Sequence, residues 1–268
     1  MKISQTIWKN QVVYKRLSML YICQIIFALL YHGDSVSAHS RQEDNALLGE
    51  PSQWVVLLHG LARSKSSMSK MEACIKQAGF SVLNLGYPSQ KKTIENLVND
   101  HLVPAIQKCR NQGASRIHFV THSMGGILVR YYLKFNKLEE LGHVVMLSPP
   151  NAGSEVVDTL KSFFIFKWLN GPAGQQLGTT PDALPIILGD VDFHPGIITG
   201  DRSINLILSW MIPGPDDGKV SVKRSQVKGM ADFRVIHATH PFIMKNAQAI
   251  CLTLQFLKYG AFKDTCEH

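Results

Sequence analysis

The residue best suited to covalent chemistry is Ser123, in the segment Thr121-His122-Ser123-Met124-Gly125. This segment follows a β-rich run and precedes a helical pattern, which predicts a sharp turn from a strand into a helix. Such a turn strains the serine backbone and lifts its hydroxyl above the sheet. The helix that begins behind Ser123 directs free N–H groups toward the hydroxyl and favours a developing anion there. The segment therefore predicts a serine nucleophile, although Thr121 replaces the first glycine of the usual G-x-S-x-G pattern.

Short apolar runs alternate with amphipathic helical patterns through most of the chain. Continuous apolar runs are typical of parallel strands that are buried on both faces. Strands are predicted at residues 54–58, 80–85, 117–120, 144–147, 197–199 and 234–236. Strands that alternate with helices predict an α/β fold, with a mostly parallel central sheet and helices on both of its faces.

Residues 154–195 interrupt this alternation and predict an insertion. Ser154 can cap a helix that has Glu155 in its first turn, and residues 171–178 are expected to form a loop. An insertion at this point lies over the C-terminal edge of the sheet, where ligands bind in such folds, so we expect a cap or lid. The aromatic stretch 163–169 is open to two interpretations, namely core packing of an inserted helix or a mobile lid with an apolar face toward lipid.

Five segments resemble, in order, the motifs of bacterial lipases and esterases of the α/β-hydrolase superfamily. They are His59-Gly60-Leu61 (the oxyanion turn), residues 121–126 (the nucleophile elbow), residues 148–154 (a Pro…Gly-Ser turn), residues 213–220 (the acid-bearing loop) and residues 240–244 (the histidine loop). These segments extend over nearly all of residues 50–265, which we expect to form one domain. The resemblance implies a Ser-His-Asp hydrolase that needs no cofactor.

The predicted general base is His240. A serine hydroxyl needs a base to take its proton, and the base needs an acceptor on its other nitrogen. His240 follows a predicted strand and lies in a loop before the last helix, from which its side chain can reach back over the sheet. The rivals are His194 and His237, and His237 alternates with apolar neighbours as a structural residue inside a strand would.

The predicted acid is Asp217, because the superfamily orders its residues as serine, acid, histidine. Asp217 precedes Gly218 and so resembles the family pattern Asp-Gly-x-Val. Asp216 and Asp201 remain alternatives.

The resemblance also implies an oxyanion hole formed by the backbone N–H groups of Leu61 and Met124. We expect His59 to shape the oxyanion turn and His122 to pack beside the site. Arg63 lies close by in the sequence. It is either a surface charge, an aid to the oxyanion, or a ligand for a phosphate or carboxylate.

These residues predict an esterase or lipase that forms an acyl-enzyme on lipid or other small-molecule esters. The same residues would serve an acyltransferase or a thioesterase. A catalytically silent binding module is a third alternative, which the presence of serine, acid and histidine disfavours.

Residues 1–38 resemble an export signal. Four cations precede the apolar run 17–31, and Val36-Ser37-Ala38 provides a small-residue exit. The run is short for a membrane-spanning helix. We therefore expect an exported protein, with an uncleaved membrane anchor as the alternative.

The charge and composition exclude some classes of partner. The 268 residues carry a formal charge of +8, but the cations are scattered and do not cluster with aromatic residues. Nucleic-acid binding is therefore not expected, whereas peripheral contact with an anionic membrane is plausible.

Outside the leader, Cys74, Cys109, Cys251 and Cys266 leave both disulfides and free thiols open. The segment 189–194 holds two aspartates and a histidine at alternate positions, but it lacks further ligands and predicts a polar loop. We therefore expect no metal.

Overall fold

The computed structural model describes residues 52–160, 164–204 and 209–263, without the side chains of residues 164–169. The predicted leader at residues 1–38 lies outside the described residues. The two interpretations of the aromatic stretch 163–169 depend on side chains that are likewise outside them.

Six parallel strands form one sheet in the order β2-β1-β3-β4-β5-β6. They are β1 (Gln53–Leu58), β2 (Ser81–Leu85), β3 (Arg116–His122), β4 (Leu141–Leu147), β5 (Gly196–Gly200) and β6 (Asp232–Ile236). All six strands predicted from the sequence are present. The fold class is thereby confirmed as α/β with a parallel sheet.

Nine α-helices accompany the strands within the described ranges. They are α1 (Ser69–Gln77), α2 (Ile94–Leu97), α3 (Val103–Asn111), α4 (Met124–Phe135), α5 (Glu155–Leu160), α6 (Phe164–Gln175), α7 (Leu184–Leu188), α8 (Val222–Ser225) and α9 (Ala247–Tyr259). A π turn at Val98–Leu102 joins α2 to α3. A 3₁₀ turn at Lys65–Met68 precedes α1. The hydroxyl of Thr93 caps α2 by accepting a hydrogen bond from Asn96.

Helices cover both faces of the sheet, as the side chains of strand β1 show. Val56 and Leu58 pack with α2, α3 and α4 on one face. Val55 and Leu57 pack with α1 and α9 on the other. All four side chains are fully buried, so the strand is a continuous apolar run rather than an alternating one.

The order of the strands creates a crevice at one edge of the sheet. From β1 the chain crosses to the edge strand β2 and then returns to β3 on the opposite side of β1. Connections that leave β1 and β3 therefore diverge at the C-terminal ends of these strands. Ligands of open α/β sheets bind at such a switch point.

The loop predicted at residues 171–178 is partly wrong, because helix α6 continues to Gln175 through a break at Gly171. Gly171 has φ 61°, and a Cβ atom there would lie 1.7 Å from the carbonyl oxygen of Gln90. Only glycine permits that approach, after which Pro172 starts a further helical turn. Helix α7 was not predicted either. No helix among the described residues is long and apolar enough to cross a membrane.

Candidate active site

Ser123 lies at the bend between β3 and α4, at the C-terminal edge of the sheet. Its backbone has φ 53° and ψ −123°, a conformation that costs about 1–3 kcal/mol in a residue other than glycine. The backbone N–H of Ser123 donates to the carbonyl oxygen of Leu147 at 2.8 Å, which fixes the bend to β4. The residue is 9% exposed, so little of it is accessible to solvent.

The residues flanking the bend are small because other strands crowd it. A Cβ atom on Gly125 would lie 2.8 Å from the carbonyl oxygen of Leu58, which is too close for any side chain. At Gly126 the same atom would meet Pro149 and Thr121 at 3.3 Å. Thr121 fits where the usual pattern has glycine because its buried hydroxyl donates to the carbonyl oxygen of Val145 at 3.4 Å.

His240 lies within hydrogen-bond distance of Ser123. The loop after β6 carries it back over the sheet, and its Nε2 is 3.0 Å from the Ser123 Oγ atom. Its Nδ1 is 2.8 Å from Oδ2 of Asp217, and its backbone N–H donates to the Asp217 carbonyl oxygen at 2.9 Å. His240 is 4% exposed. An imidazole held in this way can take a proton from the serine hydroxyl while the carboxylate fixes its tautomer.

Asp217 is fully buried, and its environment keeps it ionised. Burial acts to raise its pKa, but the charge and hydrogen bond of His240 outweigh this and hold the pKa below its ordinary value. The other carboxylate oxygen accepts backbone hydrogen bonds from Lys219 at 3.0 Å and Val220 at 2.9 Å. The structure thus joins Ser123, His240 and Asp217 in one hydrogen-bonded chain.

The alternative acids and bases are engaged elsewhere. Asp216 uses both carboxylate oxygens within its own loop, accepting from the Gly218 N–H at 2.7 Å and the Ser209 hydroxyl at 2.5 Å. His194 contacts the carbonyl oxygen of Gly229 at 3.1 Å through its Nδ1.

The expected position of His237 inside a strand is wrong, because β6 ends at Ile236. Its ring is exposed and contacts Asp201 at 2.9 Å. The strand ends there because the ladder with β5 stops at Ile236 and the chain then turns, with the Ala238 N–H donating to the Ile236 carbonyl oxygen at 2.8 Å.

His122 has a larger part in the site than its sequence position indicated. Its Nε2 donates to the carbonyl oxygen of His240 at 3.0 Å, and the two rings lie 4.9 Å apart. Burial, together with the nearby charge of His240, holds the pKa of His122 well below its usual range, so the ring is neutral. The sequence signal for this role was only its place beside Ser123.

The backbone N–H groups of Leu61 and Met124 have no hydrogen-bond partner in the described part of the chain. They follow β1 and Ser123 respectively, on the two sides of the crevice. The neighbouring N–H of Ala62 is occupied, because it donates to the Ser89 hydroxyl at 3.1 Å. Leu61 lines the same cavity as Ser123, and unoccupied backbone donors at such a site can stabilise an oxyanion.

Tyr87 and His59 support the turn after β1 that carries Leu61. Neither Tyr87 nor Ser89 was predicted from the sequence as part of the site. The Tyr87 hydroxyl donates to the carbonyl oxygen of His59, and the two rings stack at 4.0 Å. Burial lowers the pKa of His59 and keeps it neutral. The signal available was position, since residues after β2 meet those after β1 at the same edge of the sheet.

A cavity of about 370 Å³ opens beside Ser123, His122 and His240, and we call it the serine cavity. Part of its apolar wall is in or next to the insertion, namely Pro150, Val156, Val157, Leu160 and Leu177, and the rest consists of Leu61, Ala62 and Val220. Arg63 and Lys219 also line it. Of these two cations, sequence reasoning considered only Arg63.

Two further expectations concern metal and cysteines. Across the described ranges, no group of three or more His, Cys, Asp or Glu side chains is placed to hold a metal ion. Asp190 of the polar segment 189–194 pairs instead with Lys228 at 3.0 Å. Cys74 and Cys109 are free thiols, whereas Cys251 is disulfide-bonded.

Comparisons with known proteins agree with this fold. A family model described as palmitoyl protein thioesterase matches residues 54–179, just under half of the chain. No curated protein matches. The mature lipase BlEst2 of Bacillus licheniformis is 17% identical with a TM-score of 0.59, covering 73% of this chain and 88% of that one.

Two other solved structures show the same likeness. The phospholipase PlaB from Legionella pneumophila is 18% identical with a TM-score of 0.62, covering 79% of this chain and 60% of that one. The esterase Pf2001 of Pyrococcus furiosus is 17% identical with a TM-score of 0.55, covering 77% and 83%. At such identities the likeness concerns the fold. With the parallel sheet and the strand-to-helix elbow at residue 123, these matches show that the chain has the α/β-hydrolase fold.

Proposed function

We propose that the chain is a serine hydrolase that cleaves carboxylic esters of lipid-like substrates through an acyl-enzyme. The observation that carries this proposal is the contact of 3.0 Å between Ser123 Oγ and His240 Nε2, continued at 2.8 Å to Asp217. A serine at a strained bend, a buried imidazole and a buried ionised carboxylate are the three groups that acyl transfer to serine requires.

The mechanism follows from these contacts. His240 takes the hydroxyl proton as Ser123 Oγ attacks the acyl carbonyl, and Asp217 stabilises the resulting imidazolium. The carbonyl oxygen becomes an oxyanion and accepts hydrogen bonds from the N–H groups of Leu61 and Met124. His240 then gives its proton to the leaving alcohol as the acyl carbon–oxygen bond breaks. Water repeats these steps in reverse and releases the carboxylic acid.

The serine cavity supports a substrate with an apolar acyl group. Its wall from the insertion is aliphatic, with Val156, Val157, Leu160 and Leu177 facing the space beside Ser123. Burial of an acyl chain there contributes about 0.8 kcal/mol for each methylene removed from water. The insertion at about residues 154–195 would thus act as a cap that selects the acyl side of the substrate.

Thioester cleavage is the second candidate function, since the family model that matches residues 54–179 describes palmitoyl protein thioesterases. The same three side chains would act, with a thiol as the leaving group. Parallel assays with an oxygen ester and a thioester of one acyl chain separate the two functions.

The place of action remains a proposal that depends on residues 1–38. Their basic and apolar pattern supports export, with peripheral contact to a membrane surface. Mass spectrometry of the protein recovered from the cell envelope tests it. Cleavage after Ala38 is expected, and an intact N-terminus would favour an anchor.

The central test is the variant Ser123→Ala, compared with Ser115→Ala at the opposite end of β3. We expect Ser123→Ala to lose about 10⁴-fold or more in kcat on p-nitrophenyl esters while remaining folded, and to resist a fluorophosphonate probe. Ser115→Ala should retain both activity and labelling. Equal labelling and turnover by wild type and Ser123→Ala would contradict the proposal.

A further inference from the structure

Cations border one side of the serine cavity. Arg63 and Lys219 line it, and Arg63 also lines an adjoining surface hollow of about 470 Å³, which we call the arginine hollow. Lys245 lies in the wall of this hollow. The two spaces share Ala62, Arg63 and Gln90 in their walls and therefore adjoin, and we refer to the two together as the path beside Ser123.

Within the residues that the structure describes, no carboxylate forms an ion pair with Arg63, Lys219 or Lys245. Among the described residues that line the two spaces there is no carboxylate. By contrast, Arg110 and Arg224, which line neither space, each pair with a glutamate.

The arrangement has an electrostatic cost that an anion would remove. Although Lys219 is exposed, the protein around its ammonium group lowers its pKa by desolvation, and the charge of Arg63 lowers it further. The charge of Asp217 opposes this effect, but that carboxylate is already engaged by His240. A cleft that is lined by cations and lacks acidic side chains raises the local concentration of anions, so it favours an anionic group on the substrate.

The two sides of the path differ in a way that assigns each to one half of an ester. The insertion contributes the apolar side chains of Val156, Val157, Leu160 and Leu177, which suit the acyl chain. The cations come from the turn after β1 and from the loops that carry Asp217 and His240. An acyl group on the apolar side leaves the alcohol side of the scissile bond facing the cations.

We propose that Arg63, Lys219 and Lys245 form a subsite for a phosphate on the leaving group of the substrate. This inference rests on the proposed hydrolase function and narrows its substrate class. A guanidinium matches phosphate with two parallel hydrogen bonds, and the ammonium groups add point charges. Only the bond between the acyl carbon and the oxygen or sulfur of the leaving group breaks, and the phosphate leaves intact on the alcohol or thiol.

The test compares two esters that share one acyl chain and differ only by the phosphate, namely a 1-acylglycerol and the corresponding 1-acylglycerol 3-phosphate. Wild type is expected to show a kcat/KM at least about tenfold higher on the phosphorylated ester, as charge-assisted hydrogen bonds permit. Sodium chloride should reduce this preference by screening the charges.

Arg63→Gln and Lys245→Gln should each lower the preference, by about tenfold for Arg63→Gln. The matched control is Lys108→Gln, which makes the same charge change on an exposed residue of α3 near the opposite end of the sheet. Lys108→Gln should keep the preference of wild type. An equal loss on both esters in Arg63→Gln would overturn the subsite, because Arg63 would then act on the chemistry itself.

A phosphate of this kind comes either from a phospholipid or from a coenzyme-type thioester. The second pair of substrates is therefore acyl-coenzyme A and the same acyl thioester of N-acetylcysteamine, which lacks phosphate. A preference in the glycerol pair alone assigns the subsite to lipids, and a preference in the thioester pair alone assigns it to the coenzyme.

Failure of this inference differs from failure of the proposed function. Equal rates on both members of each pair, with loss of activity in Ser123→Ala, would refute the phosphate subsite and leave the hydrolase intact. Absence of turnover on every substrate, with no fluorophosphonate labelling, would refute both.

Discussion

The side chain of His122 holds the main chain of His240. The His122 Nε2 atom donates to the His240 carbonyl oxygen at 3.0 Å, while the His240 ring reaches Ser123 on one side and Asp217 on the other. The Nδ1 atom of His122 is buried and has no partner within the described ranges. Because His122 is neutral, it fixes the loop of His240 without competing for the proton of Ser123.

Replacing His122 with phenylalanine should therefore lower kcat about tenfold. The variant removes one hydrogen bond and leaves a buried carbonyl oxygen unsatisfied, which costs about 1 kcal/mol or more in the position of His240. Steady-state kinetics on a short p-nitrophenyl ester measures this, with His143→Phe at the far end of the sheet as control. A change in KM alone would contradict a positioning role, since His122 would then act on binding.

Asp217→Asn should reduce kcat about 10⁴-fold, whereas Asp216→Asn should cost less than about tenfold. An amide at residue 217 favours the wrong tautomer of His240 and does not stabilise the imidazolium. Asp216 instead accepts hydrogen bonds from Gly218 and Ser209, so its replacement loosens the loop. Kinetics of the two purified variants under one condition gives the ranking. The reverse order would transfer the role of acid to residue 216.

The local features of the site were predictable from sequence because they depend on neighbours along the chain. A run that is apolar on both faces predicts β1, and glycines after Ser123 predict a bend that admits no side chain. Contacts between distant segments were not predictable. The glycine at residue 171 is required by Gln90, and the partner of His122 is 118 residues away. Lys219 was not predictable as a cavity residue, because the cavity that it lines is formed by segments that are distant in the sequence.

Acidification should destabilise the protein through buried histidines, and His118 carries the largest share outside the site. Burial lowers the pKa of His118 to about 4, and its ring is 1% exposed. In the unfolded chain this histidine has a pKa of about 6.5. Below that pH the unfolded chain takes up a proton that the buried ring does not, so the free energy of unfolding falls as the solution is acidified. This shift predicts a loss of about 2 kcal/mol in the free energy of unfolding between pH 7.5 and 5.

Urea denaturation at several pH values measures this loss. In wild type the His118 ring contacts Gln53 at 3.1 Å and accepts a hydrogen bond from the backbone of His143 at 2.8 Å. The variant His118→Gln keeps a donor and an acceptor but does not titrate, so its stability should fall less steeply with acid. The exposed His237→Gln serves as control. An identical pH dependence in wild type and His118→Gln would exclude this residue as the cause.

Arg130→Met should destabilise the fold by about 3 kcal/mol, because a buried cation joins the helix after Ser123 to the insertion. Arg130 is 2% exposed and donates to the carbonyl oxygens of Asn151 at 2.7 Å, Pro185 at 3.2 Å and Gly189 at 2.6 Å. Burial lowers its pKa to about 10, so it stays charged at neutral pH. Methionine would leave these carbonyl oxygens without a hydrogen-bond donor, which costs about 1–3 kcal/mol for each one that water does not reach.

The control is Lys134→Met, one turn later on α4 and exposed, which should change stability by less than about 0.5 kcal/mol. Equal denaturation midpoints for the two variants would show that Arg130 does not tie α4 to the insertion.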